Sequence, residues 1–377
     1  MFASSKRIRI LECIRQGQIG GGESHLLSLV ENIDRNRFDP VVLSFTDGPM
    51  VERLNTLGVK TTIIHTLKPF DITKWKKVKE WIRSERIDLI HAHGTRANSN
   101  ILWAARSLGI PVVYTIHGWS FHDDQNPFVK KIRVLGEKYL TSKSTLNISV
   151  SESNKETGHK YFNGFRSIVV NNGINVDVFN PVRNFKAIRQ EMNIPANAKL
   201  VLFLARFTHQ KQPIALLKAF IEAAKKDESL FLLMVGDGEQ KSEAVQILEQ
   251  CELQSRIILS SFRQDVPDIL AAADIFVLAS LWEGLPIALL EAMAMGKAII
   301  ASKVDGTREI LKHKENGILI ETDNLQQNLT NSLLELSTND QLREQLQKNA
   351  RQTVKDRFNA TDMTRQIEKI YEQVLVN

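Results

Sequence analysis

Short apolar runs recur along this chain at helix-length intervals, and no other feature narrows its fold so far. In the first half the runs are RIRILECI (7–14), VVLSF (41–45), TTIIH (61–65), LIHAH (89–93), VVYTIH (112–117), LNISVS (146–151) and SIVVNNG (167–173). In the second half they are KLVLFLAR (199–206), LFLLMVG (230–236), RIILSS (256–261), IFVLAS (275–280) and AIIAS (298–302). Runs this short and this continuously apolar suit strands covered on both faces. Parallel strands need long crossovers, usually helices, so the repetition predicts parallel sheets with helices on both sides. Two such series predict two doubly wound α/β domains, in keeping with a length of 377 residues.

The division is expected near NNGINVDVFNPVRN (171–184), an Asn-rich stretch without helical period. The domains are therefore placed at 1–178 and 179–360. Beyond them Met363, Ile367, Ile370, Tyr371 and Val374 recur at helical spacing and predict an amphipathic terminal helix over 361–377. No apolar run approaches the ~18 residues of a membrane span. The opening MFASSKRIRILECIRQG lacks the apolar segment of a signal peptide, so Ile8 to Ile14 is expected to be a first strand. Cys13 and Cys251 fall in different halves, which argues against a disulfide framework and for a reducing cytoplasm.

Charge is uneven. Residues 1–180 hold 25 Lys and Arg against 17 Asp and Glu, whereas residues 181–377 hold 24 against 26. A basic first half points to an anionic partner: a membrane surface, a phosphorylated lipid or a nucleic acid. Nucleic acid is disfavoured, because the chain has no aromatic ribonucleoprotein motif, zinc spacing or continuous basic helix.

The residues that carry chemistry cluster where strands end. Glu283 and Glu291 bracket EGLPIALLE, directly after the run IFVLAS. Gly284 and Pro286 break the strand, and a helix is expected from Pro286, with Pro at its first position. One carboxylate then precedes the helix and the other lies little more than a turn inside it. Such a pair beside free helix N–H groups suits sugar or ribose hydroxyls together with an anion, although an ordinary strand-to-helix turn fits the spacing as well. Arg206 ends KLVLFLAR and Lys211 is expected to begin the next helix, a pair of cations able to grip a diphosphate or merely to face solvent. Gly236, Asp237 and Gly238 make a turn at the same sheet edge, bordering a nucleotide or simply requiring glycine. In the first half Gly20, Gly21 and Gly22 precede a helix opened by Glu23, where a ligand can approach the backbone. This is not a dinucleotide fingerprint. His117 ends its strand beside Gly118 and could donate to a sugar hydroxyl or a leaving phosphate oxygen. His91 and His93 are expected on opposite faces of one strand, poor geometry for a shared metal.

Taken in order, GGGE, HAH, TIHG, VSE, NNGINVDVF, AR…HQK, VGDGE and EGLPIALLEAMAMGKAII resemble the family 4 glycosyltransferases over nearly the whole chain. The last of these matches the family's E-x(7)-E signature. The resemblance implies the GT-B fold, two Rossmann-like domains facing a central cleft that closes over the donor, with the terminal helix packing back on the first domain. It implies retaining transfer of a hexosyl or N-acetylhexosaminyl group from a nucleoside diphosphate sugar of UDP or GDP type, with no catalytic metal. By position, Arg206 and Lys211 would neutralise the diphosphate, Glu291 would hold the ribose, and Glu283 would face the donor sugar with the N–H groups of Gly284 and Leu285. Gly21 and Gly22 would approach phosphate and acceptor, Gly236 would border the donor, and His117 would be the active-site histidine. Ala205 and Gln212 depart from the glycines common beside the Arg and Lys, and Ser261-Phe262 departs from Phe-Leu-Gly. No carboxylate nucleophile is evident beside His117, unlike retaining glycosidases, so front-face substitution is expected.

The acceptor implied is a saccharide or a lipid-linked saccharide in bacterial surface polysaccharide or glycolipid assembly. Two stretches suit peripheral contact with the inner face of an anionic membrane: KWKKVKEWIRSER (74–86), and residues 128–133, where Lys130, Lys131 and Arg133 flank Phe128, Val129 and Ile132. Either is equally a helix whose apolar side chains pack on the sheet. Other readings are a sugar-nucleotide epimerase or phosphorylase of the same architecture, and a non-catalytic nucleotide-sugar-binding protein.

Overall fold

The computed structural model describes residues 7–122 and 125–376, so the first six residues and Asn377 of the expected segments lie outside it. The chain forms two units, Met1–Gly173 with Ala360–Asn377, and Ile174–Asn359. The division precedes the expected one because Ile174 belongs with the far end of the second unit. It bridges Asn359 and donates its N–H to Phe358 O at 2.8 Å.

The first unit is built on seven strands: β1 Ile8–Ile14, β2 Phe38–Ser44, β3 Thr61–Ile63, β4 Leu89–His93, β5 Val112–Ile116, β6 Leu146–Ser149 and β7 Ile168–Val169. The second has six: β8 Lys199–Leu204, β9 Leu230–Val235, β10 Ile257–Ser260, β11 Ile275–Leu278, β12 Ala298–Ser302 and β13 Ile318–Ile320. The orders are β3-β2-β1-β4-β5-β6-β7 and β10-β9-β8-β11-β12-β13, with every strand pair parallel. In each sheet the order reverses once, between β1 and β4 and between β8 and β11. Ligands of doubly wound sheets bind outside the carboxyl ends of the strands at such a reversal.

The central strands are buried along their whole length, as their continuous apolar sequences require. In the second unit Phe203, Phe207, Phe220, Leu232 and Ile300 anchor one core. In the first unit the helix Ala360–Val376 is integral: Met363, Ile367, Ile370, Tyr371 and Val374 pack with Ile10, Leu29 and Phe38. Among the described residues no helix is long and apolar enough to cross a membrane.

The two basic stretches part ways. In the helix Ile72–Glu85, Val78 and Ile82 are buried, and Trp75 stacks on Trp103 with ring centroids 5.7 Å apart. Part of its apolar side is thus packed within the protein, which favours the sheet-packing alternative for this stretch. In the helix Pro127–Lys143, by contrast, Phe128, Val129, Ile132, Leu135 and Tyr139 all face outward, Phe128 being 71% exposed. Leu67 and Ile72 are exposed as well, and Phe70 lies 6.4 Å from Tyr139 by ring centroids.

Candidate functional site

In the second unit the reversal of strand order brings the loop after β8 beside the loop after β11. Arg206 stands exposed two residues beyond β8. Lys211 closes a short 3₁₀ turn, His209–Lys211, and the helix begins only at Pro213, so Lys211 precedes the helix rather than opening it. The two loops are stitched by Leu281 N donating to Gln210 O at 2.9 Å and Gln210 Nε2 donating to Trp282 O at 2.8 Å. The Lys211 ammonium pairs with the Glu283 carboxylate, which also accepts from Ser280 Oγ at 2.5 Å. A mostly buried cation with a single carboxylate partner is held in place and keeps donor capacity for an incoming anion.

The helix after β11 runs Ile287–Ala294, with Pro286 as its extended N-cap rather than its first residue. Glu291 lies on this helix, and burial pushes its carboxyl up to about 8. Leu285 is buried, and the chain at Gly284 is crowded by the turn after β12: a Cβ on Gly306 would fall 1.7 Å from Gly284 O. Gly236, at φ +146°, similarly allows the β9 turn to meet the strand end that carries Arg206, since a Cβ there would lie 2.1 Å from Ala205 O. That turn is fixed to its neighbour by Lys241 Nζ, which donates to Gly236 O at 2.9 Å, Asp237 Oδ1 at 2.7 Å and Ser261 Oγ at 3.0 Å. Gln212 occupies the left-handed region at φ +52°, a conformation that explains why glycine is common there.

In the first unit the reversal between β1 and β4 gathers a buried polar cluster. Gly21 and Gly22 form the first turn of the helix Gly21–Asn32. Space beside Gly21 is open, whereas a Cβ on Gly22 would meet the His117 ring at 3.4 Å. His117 Nε2 lies 3.1 Å from His93 Nδ1, and His93 Nε2 lies 2.8 Å from Glu12 Oε2. Tyr371 of the terminal helix donates to Glu12 Oε1 at 2.7 Å. His91 contacts Tyr371 Oη at 2.6 Å and Thr115 Oγ1 at 2.7 Å. His91 and His93 therefore share one face, with ring centroids 4.1 Å apart. The expectation of opposite faces is corrected by the strand period of two, which returns residues i and i+2 to the same side. His25 Nδ1 meets Asn172 Oδ1 at 2.9 Å.

Burial first, and the neighbouring imidazoles after it, hold these rings neutral. His25 is pushed down to about 3, His93 to about 4, and His117 well below the ordinary histidine value. Burial alone would raise the Glu12 carboxyl, but His91 and His93 outweigh it and keep it ionised. Among the described residues two groups have nitrogen or oxygen atoms within 4.8 Å of one another, as a metal would require: His25, His93 and His117, and Glu12, His91 and His93. In the second group every member is already hydrogen-bonded within the cluster.

A surface cavity of about 720 Å³ lies elsewhere in the second unit, beside Asp274 and Lys297 at the amino ends of β11 and β12. Two of its cations have structural partners: Arg189 holds Asp274 at 2.7 Å, and Lys297 donates to Ala273 O at 2.9 Å.

Sequence reasoning missed Glu12, His25, Tyr371 and Gly306. Glu12 gave one signal, a carboxylate amid Leu11, Cys13 and Ile14 in a strand destined for burial. Tyr371 gave none, since its position against β1 depends on where the terminal helix docks.

Comparison with known proteins identifies the family. The sequence profile described as "Glycosyltransferase Family 4" matches residues 19–178, and "Glycosyl transferases group 1" matches residues 184–353. The chain is 28% identical, over the full length of both, to "UDP-Gal:alpha-D-GlcNAc-diphosphoundecaprenol alpha-1,3-galactosyltransferase" of Escherichia coli. It is also 28% identical to "N,N'-diacetylbacillosaminyl-diphospho-undecaprenol alpha-1,3-N-acetylgalactosaminyltransferase" of Campylobacter jejuni, covering 91% of this chain and 93% of that one. Among solved structures, Anabaena Alr3699/HepE in complex with UDP and glucose has the same fold, with a TM-score of 0.84 at 22% identity over 97% of this chain and all of that one. With two parallel Rossmann-like sheets, and with consecutive family matches across most of its length, the chain is a glycosyltransferase of family 4, of GT-B fold.

Proposed function

We propose that this enzyme transfers a hexosyl or N-acetylhexosaminyl group, with retention, from a UDP-sugar to a saccharide carried on a polyprenyl diphosphate at a membrane surface. The observation that carries the reading is the Lys211–Glu283 pair at the strand-order reversal of the second unit, with Arg206 on the loop after β8 and Glu291 on the helix after β11. A diphosphate leaving group gains negative charge as the sugar departs, and fixed cations stabilise that charge most where water is scarce. In this reading Lys211 and Arg206 supply those cations, the N–H groups of Gly284 and Leu285 assist them, Glu283 holds Lys211 and meets the sugar end, and Glu291 receives ribose hydroxyls. Gly236 keeps the Arg206 strand end in place. In the first unit His117 and the open turn at Gly21 and Gly22 serve the acceptor and the transferred sugar. Uridine is favoured over guanosine because the E. coli relative is named for UDP-Gal and the Anabaena structure holds UDP. A role in surface polysaccharide or glycolipid assembly follows from such an acceptor.

The membrane partner is supported by the Pro127–Lys143 helix. Its outward apolar row lies among Lys130, Lys131, Arg133 and Lys138, a pairing suited to an anionic lipid surface. Such docking would bring a lipid-borne acceptor to a protein without a spanning helix among its described residues. A thermal-shift screen across UDP, GDP and their sugars tests donor choice, because a ligand of the folded state raises the unfolding temperature by mass action. Uridine compounds are expected to stabilise the protein, and Lys211→Ala to abolish most of that shift. Stabilisation by GDP-sugars alone would reject the donor assignment.

A further inference from the structure

The hydrogen-bond chain behind His117 fixes which of its nitrogens carries the proton. We propose that Glu12 and His93 are positioning residues that hold His117 as the Nε2–H tautomer, so that Nδ1 is a hydrogen-bond acceptor for a hydroxyl of the sugar substrate. Glu12 anchors the chain. Its Oε1 accepts from the Tyr371 hydroxyl at 2.7 Å, and its Oε2 lies 2.8 Å from His93 Nε2 and 3.2 Å from His91 Nδ1. A carboxylate only accepts, so His93 carries its proton on Nε2. A neutral imidazole has one N–H, which leaves His93 Nδ1 with a lone pair. His117 Nε2 is 3.1 Å from that lone pair and must donate to it. The proton of neutral His117 is thereby assigned, and Nδ1 is left as an acceptor.

His25 reinforces the assignment. Its Nδ1 donates to Asn172 Oδ1, so its Nε2 also bears a lone pair, and that buried atom has no hydrogen-bond partner. If His117 carried its proton on Nδ1 instead, three lone pairs would converge within 4.8 Å, which only a cation would stabilise. The charged and titratable groups around the ring are Glu12 and Arg15 from β1 and the turn after it, Glu23 and His25 from the Gly21–Asn32 helix, His91 and His93 from β4, and Tyr371 from the terminal helix. Burial keeps His25, His93 and His117 uncharged across neutral pH. This reverses the expectation that His117 donates to the substrate. It rests on the proposed function only for the identity of the hydroxyl, since the tautomer belongs to the ligand-free protein.

The test is ¹⁵N NMR of histidine-labelled full-length protein without ligand, which reads the tautomer of each ring directly. His93 and His117 are expected as Nε2–H from pH 6 to 8. In Glu12→Gln the introduced amide N–H₂ faces His93, the proton pattern inverts along the chain, and His117 becomes Nδ1–H. Turnover then falls roughly 10- to 100-fold, with KM for the donor nearly unchanged, because a positioned acceptor becomes a donor. His117 as Nδ1–H in the wild-type spectrum overturns the proposal, as does stoichiometric zinc in the purified protein. Lost turnover in Glu12→Gln with wild-type tautomers also overturns it, assigning Glu12 a merely structural role. Because the wild-type spectrum needs neither a variant nor a substrate, absence of glycosyl transfer would reject the proposed function and leave the tautomer result to stand alone.

Discussion

The surroundings of Glu291 desolvate its carboxyl and raise it to about 8, so in the ligand-free protein it is largely protonated at pH 7. Hydroxyls of a bound ribose donate to the carboxylate and favour its ionised form. Binding a UDP-sugar at pH 7 is therefore expected to release about one proton, seen in calorimetry as a dependence on buffer ionisation enthalpy. Glu291→Gln should bind more weakly and lose that dependence, whereas unchanged proton release in the variant would place the ribose elsewhere. The sign for stability follows from the same shift. A carboxyl whose folded value is raised contributes stability that is present below its ordinary range, near 4.5, and is lost as pH rises toward about 8. Glu291→Gln should flatten that decline in the unfolding temperature of the ligand-free protein. Lys211 is the sharper catalytic probe. If Lys211 faces the leaving group as proposed, Lys211→Ala removes that cation and strands Glu283, so kcat/KM should fall by about 10²-fold or more. Turnover within a few-fold of wild type would remove Lys211 from the donor site.

Two helices with similar basic-aromatic sequences ended in different roles, which marks the limit of reading elements one at a time. The stretch 74–86 and the stretch 128–133 both mix lysines with large apolar residues. Only the fold decides that Val78 and Ile82 are covered while Phe128 and Ile132 are not. Replacing Phe128, Ile132 and Leu135 together by Ser should abolish sedimentation with anionic vesicles at low salt and leave unfolding temperature nearly unchanged, since exposed apolar groups add little to the core. The triple replacement Lys74, Lys76 and Lys77→Ala is expected to have the smaller effect, and equal loss would restore the first stretch as a lipid contact. Strands were the more legible elements. All twelve apolar runs became strands, because continuous apolar sequence between helix-length segments has few other uses in a doubly wound sheet. The thirteenth, Ile318–Ile320, has only three residues and offered no run to notice. In the second unit, the ends of apolar runs marked Arg206, Glu283 and Glu291 as candidates. In the first half Glu12 and Tyr371 stayed hidden, because residues 359 positions apart meet only through the terminal helix.

Each unit closes its own core, yet the first is completed by the last seventeen described residues of the chain, Ala360–Val376. Ile367→Ala should destabilise it by about 2–4 kcal/mol, through a cavity beside Leu29 and Phe38. Acid should weaken the same unit. His25 and His93 have folded values of about 3 and 4, so the stability their neutral rings contribute is present above the ordinary histidine value of 6.5 and is lost as pH falls toward those values. A first unit as stable at pH 4.5 as at pH 7.5 would contradict a neutral histidine cluster. The account as a whole holds that donor chemistry in the second unit serves a lipid-borne acceptor presented to the first. The most direct measurement is transfer of radiolabelled sugar by purified protein, from a panel of UDP- and GDP-sugars to polyprenyl-diphosphate-linked saccharides in anionic vesicles. The account predicts labelled lipid-linked product from a UDP-sugar, α-linked where the donor is α-linked, and little product from Lys211→Ala. An inverted linkage, or donor binding with no transfer to any lipid-linked saccharide in the panel, would contradict it.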